Sequence, residues 1–232
     1  MKNKTILITG NRKGIGRKLT ENYLELKYNV IGCSRQSTDL KHNNYKHFIC
    51  DVSDEPSVIK TVKLAKKVFG TIDILINNAG VASLNHFILT PGKTLNNVFK
   101  INFNGSFYFA RECSKVMIKN SFGRIVNFST IAVPLDLEGE LVYASSKAAV
   151  EQMSKILAKE LSSYNITVNT IGPTPVKTDL MKVVPKDKAQ EIINKQTFKR
   201  FGTFEDIINV IDFFISDKSQ FITGQKIYLG GL

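Results

Sequence analysis

Short apolar runs alternate with longer amphipathic segments along the 232 residues of the chain. The runs are almost continuously apolar, which is typical of parallel strands that are covered on both faces. They cover residues 5–9, 29–33, 47–50, 72–76, 124–128, 166–170 and 226–229. In the intervening segments apolar residues recur at helical spacing, and we predict helices at about residues 15–27, 55–69, 95–119, 142–164 and 204–215.

This alternation predicts an α/β fold, namely a Rossmann-type doubly wound parallel sheet of about seven strands with helices on both faces. Ligands of such sheets bind outside the carboxyl ends of the strands. No repeat or linker divides the chain, so we predict one domain over residues 1–232. The least regular stretch, residues 172–200, holds three of the six prolines, and we expect a substrate lid at about residues 174–198.

The composition adds a strong basic excess, because 32 Lys and Arg against 20 Asp and Glu give a formal net charge of +12. The cations are spread along the chain rather than gathered in a tail, which favours a solvated basic surface over a nucleic-acid-binding one. Three cysteines without a CxxC motif support neither a disulfide framework nor a metal site.

The chain also lacks the apolar patterns of membrane and secreted proteins. No apolar stretch approaches the roughly 18 residues of a membrane span. The apolar run at the N-terminus reaches Thr9 and Gly10 too soon for a signal peptide. We therefore expect a cytoplasmic protein without membrane contact.

A glycine-rich turn follows the first predicted strand and leads directly into a helix. It reads Gly10-Asn11-Arg12-Lys13-Gly14-Ile15-Gly16. Glycines at this spacing permit a tight turn and close approach of the backbone to a pyrophosphate, beside the positive end of a helix. The turn is a candidate dinucleotide site, and a merely structural glycine-rich turn is the alternative.

Two further motifs carry candidate chemistry. Asn77-Asn78-Ala79-Gly80 follows the fourth predicted strand, where polar side chains can contact a nucleotide. Tyr143 and Lys147 are four residues apart in a predicted helix, so they share one helix face. A neighbouring ammonium favours the phenolate, which would lower the tyrosine pKa from its usual value of about 10.

Taken in order, the motifs T-G-x-x-x-G-x-G, N-N-A-G and Y-x-x-x-K resemble the short-chain dehydrogenase/reductase family, in its single-domain branch. The resemblance covers essentially the whole chain, since it includes segments at residues 50–52, 100–105, 123–127, 169–173 and 200–202. It implies an NAD(P)-dependent oxidoreductase that interconverts a carbonyl and a secondary alcohol by hydride transfer.

The resemblance assigns four catalytic positions. Tyr143 matches the general acid or base, and Lys147 matches the lysine that lowers the phenol pKa and holds the nicotinamide ribose. Asn102 matches the asparagine that orients a water. Thr130 stands 13 positions before the tyrosine, where the family has a serine that hydrogen-bonds the substrate carbonyl. Its hydroxyl has the same donor and acceptor capacity, and Ser129 is the alternative.

The resemblance also implies a cofactor site. The residues expected to form it are Gly10, Asn11, Arg12, Lys13, Gly14, Ile15, Gly16, Ser34, Arg35, Asp51, Val52, Asn78, Ala79, Gly80, Tyr143, Lys147, Pro173 and Thr178. NADP(H) is expected to be preferred over NAD(H), because Lys13 and Arg35 can face a 2′-phosphate and no acid ends the second strand. Asp51 and Val52 are expected at the adenine, and Thr178 at the nicotinamide carboxamide. Thr174 replaces the family's usual glycine.

The substrate walls are expected at residues 81–86 and 131–142 and in the lid. The second wall carries the acids Asp136, Glu138 and Glu140, and the lid carries Lys177, Lys182, Lys186, Lys188, Lys195 and Lys199. A basic rim would suit an acidic acyl carrier, so a 3-oxoacyl-acyl-carrier-protein reductase is the role expected. A keto-sugar or polysaccharide-pathway oxidoreductase and a non-catalytic NADP(H)-binding sensor are the alternatives. A homo-oligomer, tetramer or dimer, is expected through helices 95–119 and 142–164.

Overall fold

The computed structural model describes residues 4–179, 181 and 184–231. Seven of its strands form one parallel sheet in the order β3-β2-β1-β4-β5-β6-β7. The strands are β1 (Thr5–Thr9), β2 (Asn29–Ser34), β3 (Tyr45–Ile49), β4 (Ile74–Asn77), β5 (Gly123–Phe128), β6 (Ile166–Gly172) and β7 (Lys226–Tyr228). From β1 the next strands are added on one side of the sheet, and from β4 they are added on the other side. The strand order therefore reverses between β1 and β4, and a crevice for a ligand opens at the carboxyl ends of these two strands.

Helices cover both faces of this sheet. They are α1 (Gly14–Glu25), α2 (Glu55–Phe69), α3 (Gly92–Phe99), α4 (Gly105–Asn120), α5 (Leu141–Glu160), α6 (Lys186–Lys195) and α7 (Phe204–Ile215). Strand side chains alternate between the faces. Leu7 packs with residues of α2, α4 and α5, whereas Ile6 and Ile8 pack with residues of α1 and α7. The predicted α/β class and doubly wound parallel sheet are therefore confirmed.

Two helical features differ from the pattern-based prediction. The segment predicted as one helix over residues 95–119 is α3 and α4 joined by a π-helical turn, Lys100–Asn104. The segment predicted as a continuous helix to residue 164 is α-helical only to Glu160 and continues as a 3-10 turn, Ser162–Tyr164, which Asn165 ends in a left-handed conformation.

The expected lid is more regular than its prolines suggested. It contains α6, which begins after Pro185 and buries Ala189, Ile192 and Ile193. These residues follow the helical spacing of three and four. Of the lid residues, Leu180, Lys182, Val183 and the side chain of Lys186 lie outside the described part of the chain.

Within the described ranges, no helix combines the length and apolar character needed to cross a membrane.

Candidate active site

The glycine turn and the loop after β4 form one tightly packed cradle. Gly10 adopts a positive φ of 68°, and a Cβ added there would lie 2.9 Å from the Ala79 Cα. A Cβ added at Gly16 would lie 2.5 Å from the Gly10 carbonyl oxygen and 2.6 Å from Asn78 Nδ2. Asn78 Nδ2 also donates to the Thr9 carbonyl at 2.9 Å. A side chain at either glycine would therefore push the glycine turn and the loop after β4 apart.

The Asn11 side chain does not face the crevice but packs inside the protein, against β2 and β3. The side chain is fully buried, and its Nδ2 donates to the Tyr45 hydroxyl at 2.5 Å. A Cβ added at Gly32 would lie 1.9 Å from that same nitrogen, so the strand glycine makes room for the asparagine. The Asn11 backbone amide in turn donates to the Cys33 carbonyl at 3.4 Å, so the predicted contact of this residue with a cofactor stays a prediction. Sequence reasoning found neither Gly32 nor Tyr45.

The residues that the sequence predicts to contact the adenosine follow β2 and β3 and occupy the glycine turn. Arg35 is exposed just beyond β2, and Lys13 is exposed in the glycine turn with its Nζ 3.0 Å from Asp179 Oδ2. Arg12 is exposed beside Lys13, whereas Ser34 is partly buried and donates to the Gln36 carbonyl.

After β3, Asp51 accepts a hydrogen bond from the Ser53 amide at 2.9 Å. Val52 is buried, and a Cβ added at Gly105 would lie 2.9 Å from its Cγ2. The turn that contains Asp51 and Val52 is therefore fixed, and Val52 packs on α4. Asp51 itself is exposed, and its predicted contact with the adenine stays a prediction.

Helix α5 brings the Tyr143 and Lys147 pair to the end of β5. Lys147 Nζ donates to the Phe128 carbonyl at 2.8 Å, and the Thr130 hydroxyl lies beside the Tyr143 phenol, close enough to lower its pKa. Ser129 points elsewhere, because its hydroxyl donates to Glu151. Of the two candidate hydroxyls, Thr130 is therefore the one placed beside the tyrosine.

Burial sets the protonation of this pair. It raises the pKa of Tyr143 to about 12, with the neighbouring Thr130 hydroxyl opposing the rise and the charge of Glu140 adding to it. Burial also lowers the pKa of Lys147 to about 8. The expected lowering of the phenol pKa by Lys147 is wrong for this structure, because desolvation of the phenol dominates its pKa and the ammonium is bonded to a carbonyl.

Asn102 lies in the π-helical turn and is fully buried. Its Nδ2 donates to the Val81 carbonyl, and its Oδ1 accepts from the Val81 amide, both at 2.9 Å. A Cβ added at Gly80 would lie 3.2 Å from Asn102 Oδ1 and 3.4 Å from Lys147 Nζ. Asn102 thereby fixes the backbone that follows the N-N-A-G motif, and its role in orienting a water stays a prediction.

An apolar cleft opens beside Tyr143, between the loop after β5 and the expected lid. Its wall residues beyond the catalytic positions include Ala82, Ile131, Leu137, Glu140, Pro173, Pro175, Val176, Thr178, Met181 and Ile192. The backbones of the two expected walls are joined, since the Asn85 amide donates to the Gly139 carbonyl at 2.8 Å. Of the three acids in the second wall, only Glu140 lines the cleft, and burial raises its pKa.

Thr174, which replaces a glycine of the family pattern, is accommodated by two partners. Its hydroxyl donates to the Gln196 side chain, which is buried. A Cβ added at Gly202 would lie 2.5 Å from Thr174 Cγ2, so the glycine leaves room for the threonine methyl. The sequence gives no signal for Gln196, because it is one of several polar residues in this stretch and belongs to no motif.

In the described part of the chain, no three His, Cys, Asp or Glu side chains are grouped to hold a metal ion. The donors that converge at the crevice are instead hydroxyls, amides and one ammonium, around glycines that leave the backbone open. That set fits a dinucleotide cofactor.

Comparison with known proteins places this geometry in context. A family model described as enoyl-(acyl carrier protein) reductase matches residues 9–231. The chain is 34% identical over 235 residues to the 3-oxoacyl-(acyl-carrier-protein) reductase FabG of Buchnera aphidicola subsp. Schizaphis graminum, covering 98% of this chain and 96% of the relative. It is 29% identical over 234 residues to the FabG of Escherichia coli strain K12, with the same coverage. The solved structure of ElxO with NADP bound aligns with a TM-score of 0.89 at 29% identity, covering 98% of this chain and 97% of the other.

The buried ammonium generates a pH-dependent prediction. We expect Lys147→Met to raise the free energy of unfolding at pH 7 by roughly 2–3 kcal/mol, because the charged form no longer has to be desolvated. Folding lowers the pKa of Lys147 from 10.5 to about 8. The unfolded wild type therefore binds more protons between these values, so wild-type stability rises with pH there and the gain of the variant shrinks. Urea unfolding at pH 7, 8, 9 and 10 measures this.

The matched control is Lys155→Met, which removes an exposed ammonium from the same helix. It should leave the free energy of unfolding within about 0.5 kcal/mol at every pH. A Lys147→Met variant that is less stable than the wild type at pH 7 would contradict the prediction.

Proposed function

The chain belongs to the short-chain dehydrogenase/reductase family, and we propose that within it the protein reduces 3-oxoacyl thioesters carried on acyl carrier protein, with NADP(H) as its cofactor. The resemblance in the sequence motifs is thereby confirmed, and with it the class of reaction, an oxidoreduction between a carbonyl and an alcohol. The observation that carries the proposal is the Thr130 hydroxyl beside the Tyr143 phenol in the lining of an apolar cleft.

The chemistry follows from the protonation of these groups. With a pKa raised to about 12, the Tyr143 phenol keeps its proton at neutral pH and acts as a general acid toward a substrate carbonyl oxygen. The Thr130 hydroxyl donates a second hydrogen bond to that oxygen as negative charge develops on it. A nicotinamide cofactor supplies the hydride when it is bound. A protonated phenol favours reduction over alcohol oxidation, which requires a base.

The cofactor would be held along the crevice. The glycine turn and the N-terminus of α1 would take the pyrophosphate, and Asp51 with Val52 the adenine. Lys147 would hold the nicotinamide ribose, and Thr178 the carboxamide, from a position beside the glycine turn: a Cβ added at Gly14 would lie 3.8 Å from the Thr178 Cβ.

Two observations support NADP(H) over NAD(H). Arg35 is exposed at the end of β2, where an acid would bind a free ribose hydroxyl, and Lys13 lies in the adjoining turn. Lys13 is already paired with Asp179, so Arg35 carries more of the proposed 2′-phosphate contact. ElxO, a structural relative at 29% identity, has been solved with NADP bound.

The substrate assignment rests on the cleft and its rim. The cleft walls are mainly apolar, as a fatty acyl chain requires. Lys177 and Lys195 of the proposed lid, residues 174–198, and Lys199 just after it are exposed outside the cleft, where they suit an acidic carrier protein. The FabG relatives are named for this reaction.

A keto-sugar reductase is the second candidate, and Glu140 favours it. This partly buried acid lines the cleft near Tyr143, where it can accept hydrogen bonds from the hydroxyls of a sugar. A non-catalytic sensor is the least supported reading, because nucleotide binding alone does not require the Thr130 and Tyr143 contact.

We further propose a cytoplasmic homo-oligomer, dimer or tetramer, that associates through α4 and α5. Phe107 on α4 and Ile156 on α5 are 38% and 48% exposed, which is unusual for large apolar side chains unless they meet a second copy. The cysteines Cys33, Cys50 and Cys113 are free, as in proteins of a reducing compartment.

The proposed activity is tested by mixing the purified protein with NADPH and either acetoacetyl-acyl carrier protein or a nucleotide-linked keto-sugar. We expect NADPH oxidation with the thioester. Turnover of the sugar alone would replace the first candidate by the second. Tyr143→Phe should abolish turnover while NADPH binding, followed by fluorescence, persists; binding without turnover in the wild type on both substrates would identify a sensor.

Cofactor preference is tested with Arg35→Asp. The substitution replaces a cation with an anion at the proposed 2′-phosphate position, so the ratio of kcat/KM for NADPH to that for NADH should fall about 10- to 100-fold. Lys46→Asp makes the same charge change at an exposed position on β3 and should leave the ratio unchanged. An unaltered ratio in Arg35→Asp would remove this residue from the site.

The two hydroxyls at the end of β5 are separated by substitution. Thr130→Ala should lower kcat about 100-fold, because a donor to the developing oxyanion is lost. Ser129→Ala should lower it about tenfold or less, because its hydroxyl contacts Glu151 rather than the tyrosine. The reverse order of effects would transfer the role to Ser129.

A further inference from the structure

Glu151 lies one helical turn beyond Lys147, on the face of α5 that meets the end of β5. Only 6% of its side chain is exposed. Three donors converge on it: the Ser129 hydroxyl and the Tyr228 hydroxyl on Oε1, the latter at 2.6 Å, and Lys226 Nζ on Oε2 at 2.8 Å. The mechanism described above uses none of these contacts.

A buried carboxylate with this donor set is a rigid anchor. Removing a carboxylate from water is costly unless several donors and a cation compensate it, and here both oxygens are engaged. Two of the donors, Lys226 and Tyr228, belong to β7. The Tyr228 ring is itself fixed, since a Cβ added at Gly172 would lie 2.2 Å from its Cδ1.

The third donor belongs to the turn that carries Thr130. The backbone of this turn is held by β6 and its extension, because the Ser129 amide donates to the Ile171 carbonyl at 2.7 Å and the Ile131 amide to the Pro173 carbonyl at 3.3 Å. The Ser129 side chain is held by Glu151. Thr130 therefore sits between two anchored neighbours, with its hydroxyl toward Tyr143.

We propose that Glu151 is a positioning residue: through Ser129 it fixes the turn after β5 so that the Thr130 hydroxyl faces the Tyr143 phenol, and it ties that turn to β7. The inference rests on the proposed function only in the consequence for turnover. The fixing of the turn is a property of the chain itself and is measurable without substrate.

The experiment compares Glu151→Leu, Glu151→Gln and Ser129→Ala with the wild type by hydrogen–deuterium exchange of the segment 128–133 and by steady-state kinetics. Glu151→Leu should speed exchange in this segment and lower kcat about tenfold, with KM for NADPH changed less than twofold, because the turn moves while the cofactor cradle does not. Glu151→Gln keeps one acceptor oxygen and should restore part of both losses.

The coupling is tested by the double variant. If Glu151 acts through Ser129, then Glu151→Gln combined with Ser129→Ala should lower kcat no further than the more impaired single variant. Additive losses would show that the two residues act independently, which would overturn the proposal.

Glu112→Gln is the matched control, since Glu112 is also buried and accepts from Arg111 and Lys115, but on α4. It should change neither exchange at 128–133 nor kcat. Exchange at 128–133 that stays at the wild-type rate in Glu151→Leu, or that rises equally across the whole chain, would overturn the proposal.

If Glu151→Leu does not fold, Tyr228→Phe and Ser129→Ala replace it in the exchange and kinetic measurements, because each removes one donor and leaves the carboxylate paired with Lys226. The inference can also be separated from the proposed function. If the wild type reduces no substrate, the proposed reaction fails while the exchange rates still support or refute the anchoring role.

Discussion

The contact between α5 and the end of β5 is the constraint on which the candidate chemistry depends. Each residue from 128 to 130 meets a side chain of that helix: Lys147 donates to the Phe128 carbonyl, Glu151 accepts from the Ser129 hydroxyl, and Tyr143 lies beside the Thr130 hydroxyl. The helix places these three side chains on one face because they are four residues apart. Burying an ammonium and a carboxylate there is unfavourable by itself, so the site retains them at the expense of stability.

Much of this arrangement could be predicted from the sequence, since its determinants are local. Apolar runs and turn glycines identified the seven strands, and the spacing of Tyr143 and Lys147 placed them on one face. Counting back 13 residues from the tyrosine reached Thr130, which is the hydroxyl that the structure places beside the phenol. Such inferences need only the chain order and the periods of helix and strand.

The remainder depends on contacts between residues distant in sequence. The direction of Asn11 is decided by Gly32 and Tyr45, and the fit of Thr174 by Gly202 and Gln196. The pKa of the tyrosine is decided by desolvation, which a spacing of four residues does not report. Helix α6 was missed because prolines around it outweighed its apolar period, although a proline commonly precedes the first turn of a helix.

The π-helical turn at Lys100–Asn104 amounts to one residue inserted into an otherwise continuous helix. Each residue of an α-helix advances the chain by about 100° around its axis. The extra residue therefore rotates α4 about the helix axis relative to α3. With this rotation α4 buries Phe109 in the core while Asn102 stays hydrogen-bonded to Val81. In evolutionary terms, loss of a single residue here would yield a regular helix that could no longer satisfy both contacts, which makes the length of this segment as constrained as its composition.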